Sequence, residues 1–244
     1  MVKDIFSGHA ETYSKFRPGY PQALYDFLYL HTPAYNLAWD CGTGNGQVAK
    51  ELSKKFKHVR ASDISLEQLR FASMAENITY MQSDETALDS PDHHFDLITV
   101  ATAIHWFSFE RFYKEVKRTL KPGGVIGVWC YQLLRVNPAI DALLDDLCYN
   151  VMEPYWEPER QYVEDGYTKI PFPFSEIEHP PFSIQINWSA DHLEGYIRSW
   201  SAYQKYMKHH AGDPIPAFME KMKQYWKGEM AIHIDLPVRI GRVV

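Results

Sequence analysis

Leu37-Ala38-Trp39-Asp40-Cys41-Gly42-Thr43-Gly44-Asn45-Gly46-Gln47 decides how this chain is read. A short apolar run ends in an acid, a glycine-rich turn follows, and Val48, Leu52 and Phe56 then recur at helical spacing. The pattern is strand, turn, helix. Glycine lets the backbone turn tightly and lets a ligand approach with no Cβ in the way. The helix beyond offers unpaired N–H groups at its start. An ordinary glycine-rich turn and a dinucleotide-binding loop both stay open. The dinucleotide fingerprint wants its third glycine at position 47, where this chain has Gln47, with Gly46 one place early. Asp40, just before the turn, suits a ligand bearing an ammonium group better than one bearing a diphosphate.

Working outward, the first half alternates strand-like and helix-like segments, as expected of a parallel sheet covered by helices. Pro21 to Leu30 reads as a helix, His58 to Ser62 as a second strand and Ile78 to Met81 as a third. Asp63 ends the second strand about 20 residues after the first glycine, where a carboxylate can take both hydroxyls of a ribose. An acid in that place can also cap the helix from Ser65. Phe95 to Ala101 is apolar apart from Asp96 and Thr99, as a strand buried on both faces should be. Phe109, Phe112, Val116 and Leu120 stripe a helix that Lys121-Pro122-Gly123-Gly124 stops, and Val125 to Trp129 makes a fifth strand.

Beyond Tyr131 the rhythm changes. A helix from Pro138 to Val151 leads into a stretch, 153–183, rich in proline and aromatic residues and without helical period. Phe182, Ile184, Ile186 and Trp188 alternate with polar residues, Ser189 can cap a helix, and Ile232 to Ile240 alternates as a final strand.

The 244 residues are 45% hydrophobic and 15% aromatic, enough for one full α/β domain with an elaboration. Lys plus Arg total 25 against 31 acids, a net charge of −6, which argues against nucleic-acid binding through phosphate neutralisation. No apolar run is long enough to span a membrane, and Met1 to Ile5 carry no signal-peptide core. The expectation is a cytoplasmic protein, monomer or homodimer, with no membrane partner. Cys41, Cys130 and Cys148 have no metal-ligand spacing, and the pairs His93-His94 and His209-His210 read as surface residues, so no metal is expected.

Asp40 to Gly46, Asp63, Ser83-Asp84, Phe95 to Val100 and Leu120 to Gly124 together resemble the ordered motifs of class I S-adenosylmethionine-dependent methyltransferases. Phe6-Ser7 to Tyr20-Pro21, Ala103-Ile104-His105-Trp106-Phe107 and Leu236 to Arg242 are similar to the small-molecule branch that holds trans-aconitate-methyltransferase-like proteins. The resemblance implies a Rossmann-like α/β fold: a seven-stranded sheet with its last strand antiparallel, helices on both faces and a helical or irregular cap. It divides the chain into a lid and cofactor half (1–131), an inserted cap (132–181) and a C-terminal part completing the same sheet (182–244).

The cofactor implied is S-adenosylmethionine, leaving as S-adenosylhomocysteine. Asp40 would lie near its methionine end, with the backbone of Cys41, Gly42 and Gly44 along it. Asp63 and Ile64 would meet the ribose, Asp84 the adenine amino group and Ala101 the adenosine. Residues 1–20 would fold over the site, with Arg17 at the cofactor carboxylate. Tyr13, His105, Trp106 and Trp129 would face a small-molecule methyl acceptor, with a carboxylate one candidate. Glu85 stands where the family does not keep its acid. His105 follows a strand at the edge where such sheets bind ligands and can act as a general base or only position the acceptor. A dinucleotide-dependent oxidoreductase and a non-catalytic cofactor-binding protein are the competing readings.

Overall fold

The computed structural model describes residues 15–86 and 89–243. Tyr13 and most of the expected N-terminal lid lie outside those residues. Helix α1 (Gln22–His31) starts after Pro21 and buries Leu24, Tyr25 and Leu28. Strand β1 (Leu37–Cys41) runs through the glycine turn into helix α2 (Gln47–Ser53). Strand β2 (His58–Asp63), a short helix α3 (Leu66–Arg70) and strand β3 (Ile78–Gln82) follow. Strand β4 (Phe95–Ala101), helix α4 (Phe109–Thr119) and strand β5 (Leu120–Trp129) complete the first half. These strands pair in parallel, β2 with β1 and β3, and β4 with β1 and β5.

Polar residues inside β4 have a structural reason. The Asp96 carboxylate accepts the backbone N–H groups of Asn36 and Leu37 and pairs with Lys121 at 2.6 Å. Thr99 donates to Asp40 Oδ1 at 2.8 Å. Both tie β4 to β1, at the place in the sheet where the strand order reverses.

In the second half, Asn137 caps helix α5 (Pro138–Asp146) by accepting from Ala139 and Ile140 N–H, and one π-type turn extends it to Val151. The proline-rich stretch contains the short helix α6 (Arg160–Glu164) and the two-residue strand β6 (Ser175–Glu176). Strand β7 (Phe182–Trp188) leads to helix α7 (Ala190–Arg198), capped by Ser189 as its sequence suggests. Helices α8 (Ser201–His209) and α9 (Ile215–Met222) precede strands β8 (Met230–Leu236) and β9 (Val238–Arg242).

The main sheet has seven strands in the order β3-β2-β1-β4-β5-β9-β6, with β9 antiparallel to β5. One detail departs from the sequence reading. The alternating C-terminal run breaks at Pro237: only β9 joins the main sheet, while β8 pairs with β7 in a separate two-stranded ribbon. Proline cannot donate to a ladder, so the run changes sheets there. The seventh place falls to β6, paired with β9 at its two residues.

Candidate active site

At the reversal, β1 is flanked by β2 on one side and β4 on the other. Chain crossovers leave in opposite directions there, so a crevice opens beyond the carboxyl ends of the strands. The cavity in that crevice is lined by Asp40, Gly42, Thr43, Gly44, Asp63, Ile64, Asp84, Glu85 and Ala101 to Ala103, together with Trp106 and Phe107.

The glycine turn is left-handed at three places: Gly42 (φ +69), Gly44 (φ +56) and Gly46 (φ +78). A Cβ on Gly42 would stand 2.6 Å from the Ala103 Cβ, so that glycine exists for the close approach of two loops. A Cβ on Gly44 would meet nothing nearer than the Gln68 side chain at 3.9 Å, because this backbone borders the cavity. Asp63 binds the turn itself: one carboxylate oxygen accepts Gly44 N–H at 2.8 Å and the other accepts Ser65 N–H at 2.9 Å. The helix cap is Ser65, which accepts Gln68 N–H, and not Asp63.

Asp40 is buried, with its carboxylate accepting from Thr43 and Thr99 hydroxyls at 2.5 and 2.8 Å. Burial raises its pKa to about 6 against the pull of those hydrogen bonds. Strand alternation turns the neighbours Trp39 and Cys41 to the other face, where Trp39 stacks on Phe95. The Cys41 side chain is therefore core, and the cavity wall falls to residues on either side of it, Asp40 and Gly42.

Asp84 accepts from Thr86 N–H and hydroxyl and from Arg111 at 2.8 Å. Glu85 is the residue that sequence reasoning missed. Its side chain is fully buried at the cavity, Oε1 lies 3.3 Å from the Arg111 guanidinium, and neither oxygen has a hydrogen bond among the described residues. The signal in the sequence was a second acid beside Asp84, set aside because the usual pattern places it later.

A second cavity adjoins the first, and Thr102 and Trp106 line both. Its other walls come from Arg17, His105, Tyr131, Gln132, Leu133, Trp156, Glu157, Arg160, Tyr196, Trp200 and Ser201, among others. Three of the expected site residues are placed as follows. Arg17, expected at the cofactor, lines this second cavity. Its guanidinium donates to Tyr131 and to Ser199, 5.1 Å from the Tyr196 ring centroid, because Phe16 N-terminal to it packs edge-on to His192 of α7. Trp129, expected at the acceptor, lines neither cavity: it ends β5 inside the core, fully buried, edge-on to Tyr20. His105, expected as a general base or a positioning group, is buried in the wall of this cavity. Burial and the nearby Arg160 hold its pKa down to about 3, and its Nδ1 meets Tyr167 Oη at 2.8 Å.

Thr102 sits at φ +53, a left-handed conformation that a β-branched residue rarely adopts. Its N–H bonds Trp129 O at 2.7 Å, and its hydroxyl shares a hydrogen bond with Tyr20 at 3.1 Å. Such strain persists only where surrounding structure enforces it.

Fold and crevice together define a doubly wound α/β domain with a cavity at the strand-order reversal. A sequence profile described as a methyltransferase domain matches residues 39–128. A Dictyostelium discoideum protein assigned to the methyltransferases is 33% identical over 243 residues, covering 96% of this chain and 92% of its own. A solved structure from Anaeromyxobacter dehalogenans, described as a type II methyltransferase, is 34% identical with a TM-score of 0.86, covering 94% of this chain and 99% of its own. A Saccharomyces cerevisiae protein assigned as an S-adenosylmethionine-dependent methyltransferase is 26% identical and covers 98% of this chain. The chain belongs to the class I S-adenosylmethionine-dependent methyltransferases, and its cofactor is S-adenosylmethionine. That membership sets the dinucleotide oxidoreductase reading aside.

The first cavity fits that cofactor on its own terms. Glycine backbone borders it without obstruction, Asp63 ends a strand at its rim, and a buried carboxylate, Glu85, has room for a donor.

Proposed function

We propose that this methyltransferase acts on a small molecule seated in the second cavity, with a carboxylate as the acceptor group. The observation that carries the reading is the junction: Thr102 and Trp106 wall both cavities, so a methyl donor in one faces an acceptor in the other. In the first, Asp40 lies toward the methionine ammonium, Gly42 and Gly44 along the chain, Asp63 and Ile64 at the ribose, and Asp84 with Glu85 at the adenine amino group. Ala101 closes the adenosine side.

S-adenosylmethionine supplies a methyl group on a sulfonium, which leaves as a neutral thioether when an acceptor lone pair forms the new bond to carbon. A carboxylate has that lone pair and no proton to lose. The protein's part is alignment and exclusion of water, and proximity alone can be worth about 7–11 kcal/mol of barrier. Arg160 and Arg17 bring two guanidiniums to the acceptor cavity, Arg160 lying 3.8 Å from the Trp156 ring centroid. Glu157, on the same wall, is paired with Lys205 at 2.6 Å. Guanidinium is the side chain best shaped for a carboxylate. The cap residues Trp156 to Val163 come from the segment 132–181, which acts as the acceptor-binding insertion.

Turnover on a panel of small carboxylic acids, alcohols and amines, read as adenosylhomocysteine release, tests the proposal. Acids should be the active class, and Arg160→Ala should lower kcat/KM at least tenfold with the adenosylhomocysteine Kd within twofold of wild type. Activity confined to alcohols or amines, or indifferent to Arg160→Ala, would overturn it. A folded chain that binds cofactor but methylates nothing would favour a non-catalytic role.

A further inference from the structure

Tyr167 is fully buried and far in sequence from the cofactor motifs, yet it touches the acceptor cavity's histidine. It occupies the left-handed region at φ +60, directly after Gly166 at φ +60. A bulky residue in that region is an outlier, and two in succession turn the chain so that the phenol points inward. There the hydroxyl lies 2.8 Å from His105 Nδ1. Burial raises the pKa of the phenol, which keeps its proton. Burial also keeps the imidazole neutral.

Two neutral groups, phenol and imidazole, therefore face each other, and their protons can be placed by counting. A neutral imidazole has one N–H and one bare nitrogen, and the phenol has one O–H. If the proton sat on Nδ1, Tyr167 would accept it, and its own O–H would have no acceptor among the described residues. If the proton sits on Nε2, Tyr167 donates to the bare Nδ1 across the observed 2.8 Å. The phenol proton and Nδ1 are then both paired. With Nδ1 spent on Tyr167, Nε2 is the nitrogen left for the cavity that His105 lines.

We propose that Tyr167 is a positioning residue that locks His105 as the Nε2–H tautomer, so that the acceptor cavity presents a hydrogen-bond donor and not a base. The proposal rests on reading the second cavity as the acceptor site. It selects acceptors that arrive with an unprotonated lone pair, since a group that must lose a proton finds no base there.

Tautomers are read directly from ring nitrogens by long-range proton–nitrogen NMR on the ¹⁵N-labelled full chain near pH 7, with His105 assigned by signals lost in His105→Gln. The expected spectrum has a protonated Nε2 and a bare, hydrogen-bonded Nδ1. In Tyr167→Phe the Nδ1 resonance should move to the position of a nitrogen with no donor, while Nε2 stays protonated. A wild-type spectrum with the proton on Nδ1 overturns the proposal, and so does an Nδ1 signal unmoved in a folded Tyr167→Phe. Should that variant fail to fold, the wild-type spectrum decides alone. The measurement needs neither cofactor nor turnover, so its failure leaves the acceptor-panel result standing, and the reverse also holds.

Discussion

The two cavities share Thr102 and Trp106 but are assembled differently. The cofactor cavity is built from loops at the ends of four neighbouring strands, and apart from Tyr20 its lining falls between residues 40 and 107. The second cavity, proposed for the acceptor, draws on residues from Arg17 to Ser201, which include Tyr131 after β5, Arg160 in the proline-rich stretch and Tyr196 of α7. The first is defined largely by backbone: left-handed glycines and N–H groups held by Asp63. The second is defined by large side chains, three tryptophans and two arginines among them. A backbone site is sensitive to added volume, whereas a side-chain site is sensitive to charge and packing. The difference teaches that, away from the shared Thr102 and Trp106, a substitution in one cavity leaves the lining of the other in place.

The sharpest way to break that contrast is Gly44→Val. The branched side chain would enter space where no protein atom lies nearer than 3.9 Å to its Cβ, so the obstruction falls on the ligand. A β-branched residue at φ +56 also costs about 1–2 kcal/mol of stability. Adenosylhomocysteine affinity should fall about 100-fold or more, equivalent to roughly 2.7 kcal/mol. Titration calorimetry on the folded variant measures it. Wild-type affinity would show that the ligand does not lie against this turn.

What the sequence made legible follows the same division. The turn at Gly42 to Gly46 and the buried strand Phe95 to Val100 could be read because their chemistry is local, and Asp63 because it ends a strand at a fixed spacing from that turn. Ser65 as the cap, and Asp63 as the brace of the turn, required coordinates, since either acid or serine can start a helix. The surroundings of Arg17 and Trp129 were hidden in the sequence because they come from afar, Ser199 and Tyr131 in one case, Tyr20 in the other. The exchange of β8 and β9 between sheets turned on Pro237, a break that alternation of apolar residues hides. Arg160 and Trp156, which line the second cavity, and Tyr167, which meets His105, lie in a stretch with no periodicity, so nothing in the local pattern marked them.

A pH titration probes one buried group from each cavity, and the two have opposite signs. His105 has its pKa depressed from 6.5 to about 3, so the unfolded chain binds the extra proton more readily below pH 6.5. Its contribution is present above pH 6.5 and is lost as pH falls toward 3, by at most about 1.4 kcal/mol per pH unit. Asp40 has its pKa raised from 3.8 to about 6, so the folded chain holds the proton more readily. Its contribution grows as pH falls from 6 to 3.8 and partly masks the histidine. His105→Gln removes one of the two. Between pH 7 and 5 the wild type should therefore lose stability relative to the variant, by up to about 2 kcal/mol, as read by urea denaturation. Parallel pH curves for the two proteins would mean that His105 is not desolvated, and the neutral donor assigned to it would lose its footing.

The smallest effect, and the finest division between stability and binding, concerns Glu85→Gln. The carboxylate is fully buried, its Oε1 is 3.3 Å from a guanidinium that is itself mostly in water, and neither oxygen has a hydrogen bond among the described residues. A buried charge without full compensation costs the fold. The isosteric amide removes that cost, so the unliganded variant should be as stable as wild type or more so, with the melting temperature unchanged or a few degrees higher. If the adenine amino group is the donor that Glu85 awaits, the exchange also turns a charge-assisted hydrogen bond into a neutral one. Adenosylhomocysteine should then bind about three- to tenfold more weakly, equivalent to roughly 0.7–1.4 kcal/mol. An analogue with oxygen in place of the amino group lacks the donor, so its affinity should not fall. Stability and affinity moving in opposite directions, with the loss confined to the amino-bearing ligand, would identify a carboxylate kept for binding. A variant that loses stability and binds both ligands alike would instead make Glu85 a brace for Arg111, leaving adenine recognition to Asp84 and the backbone.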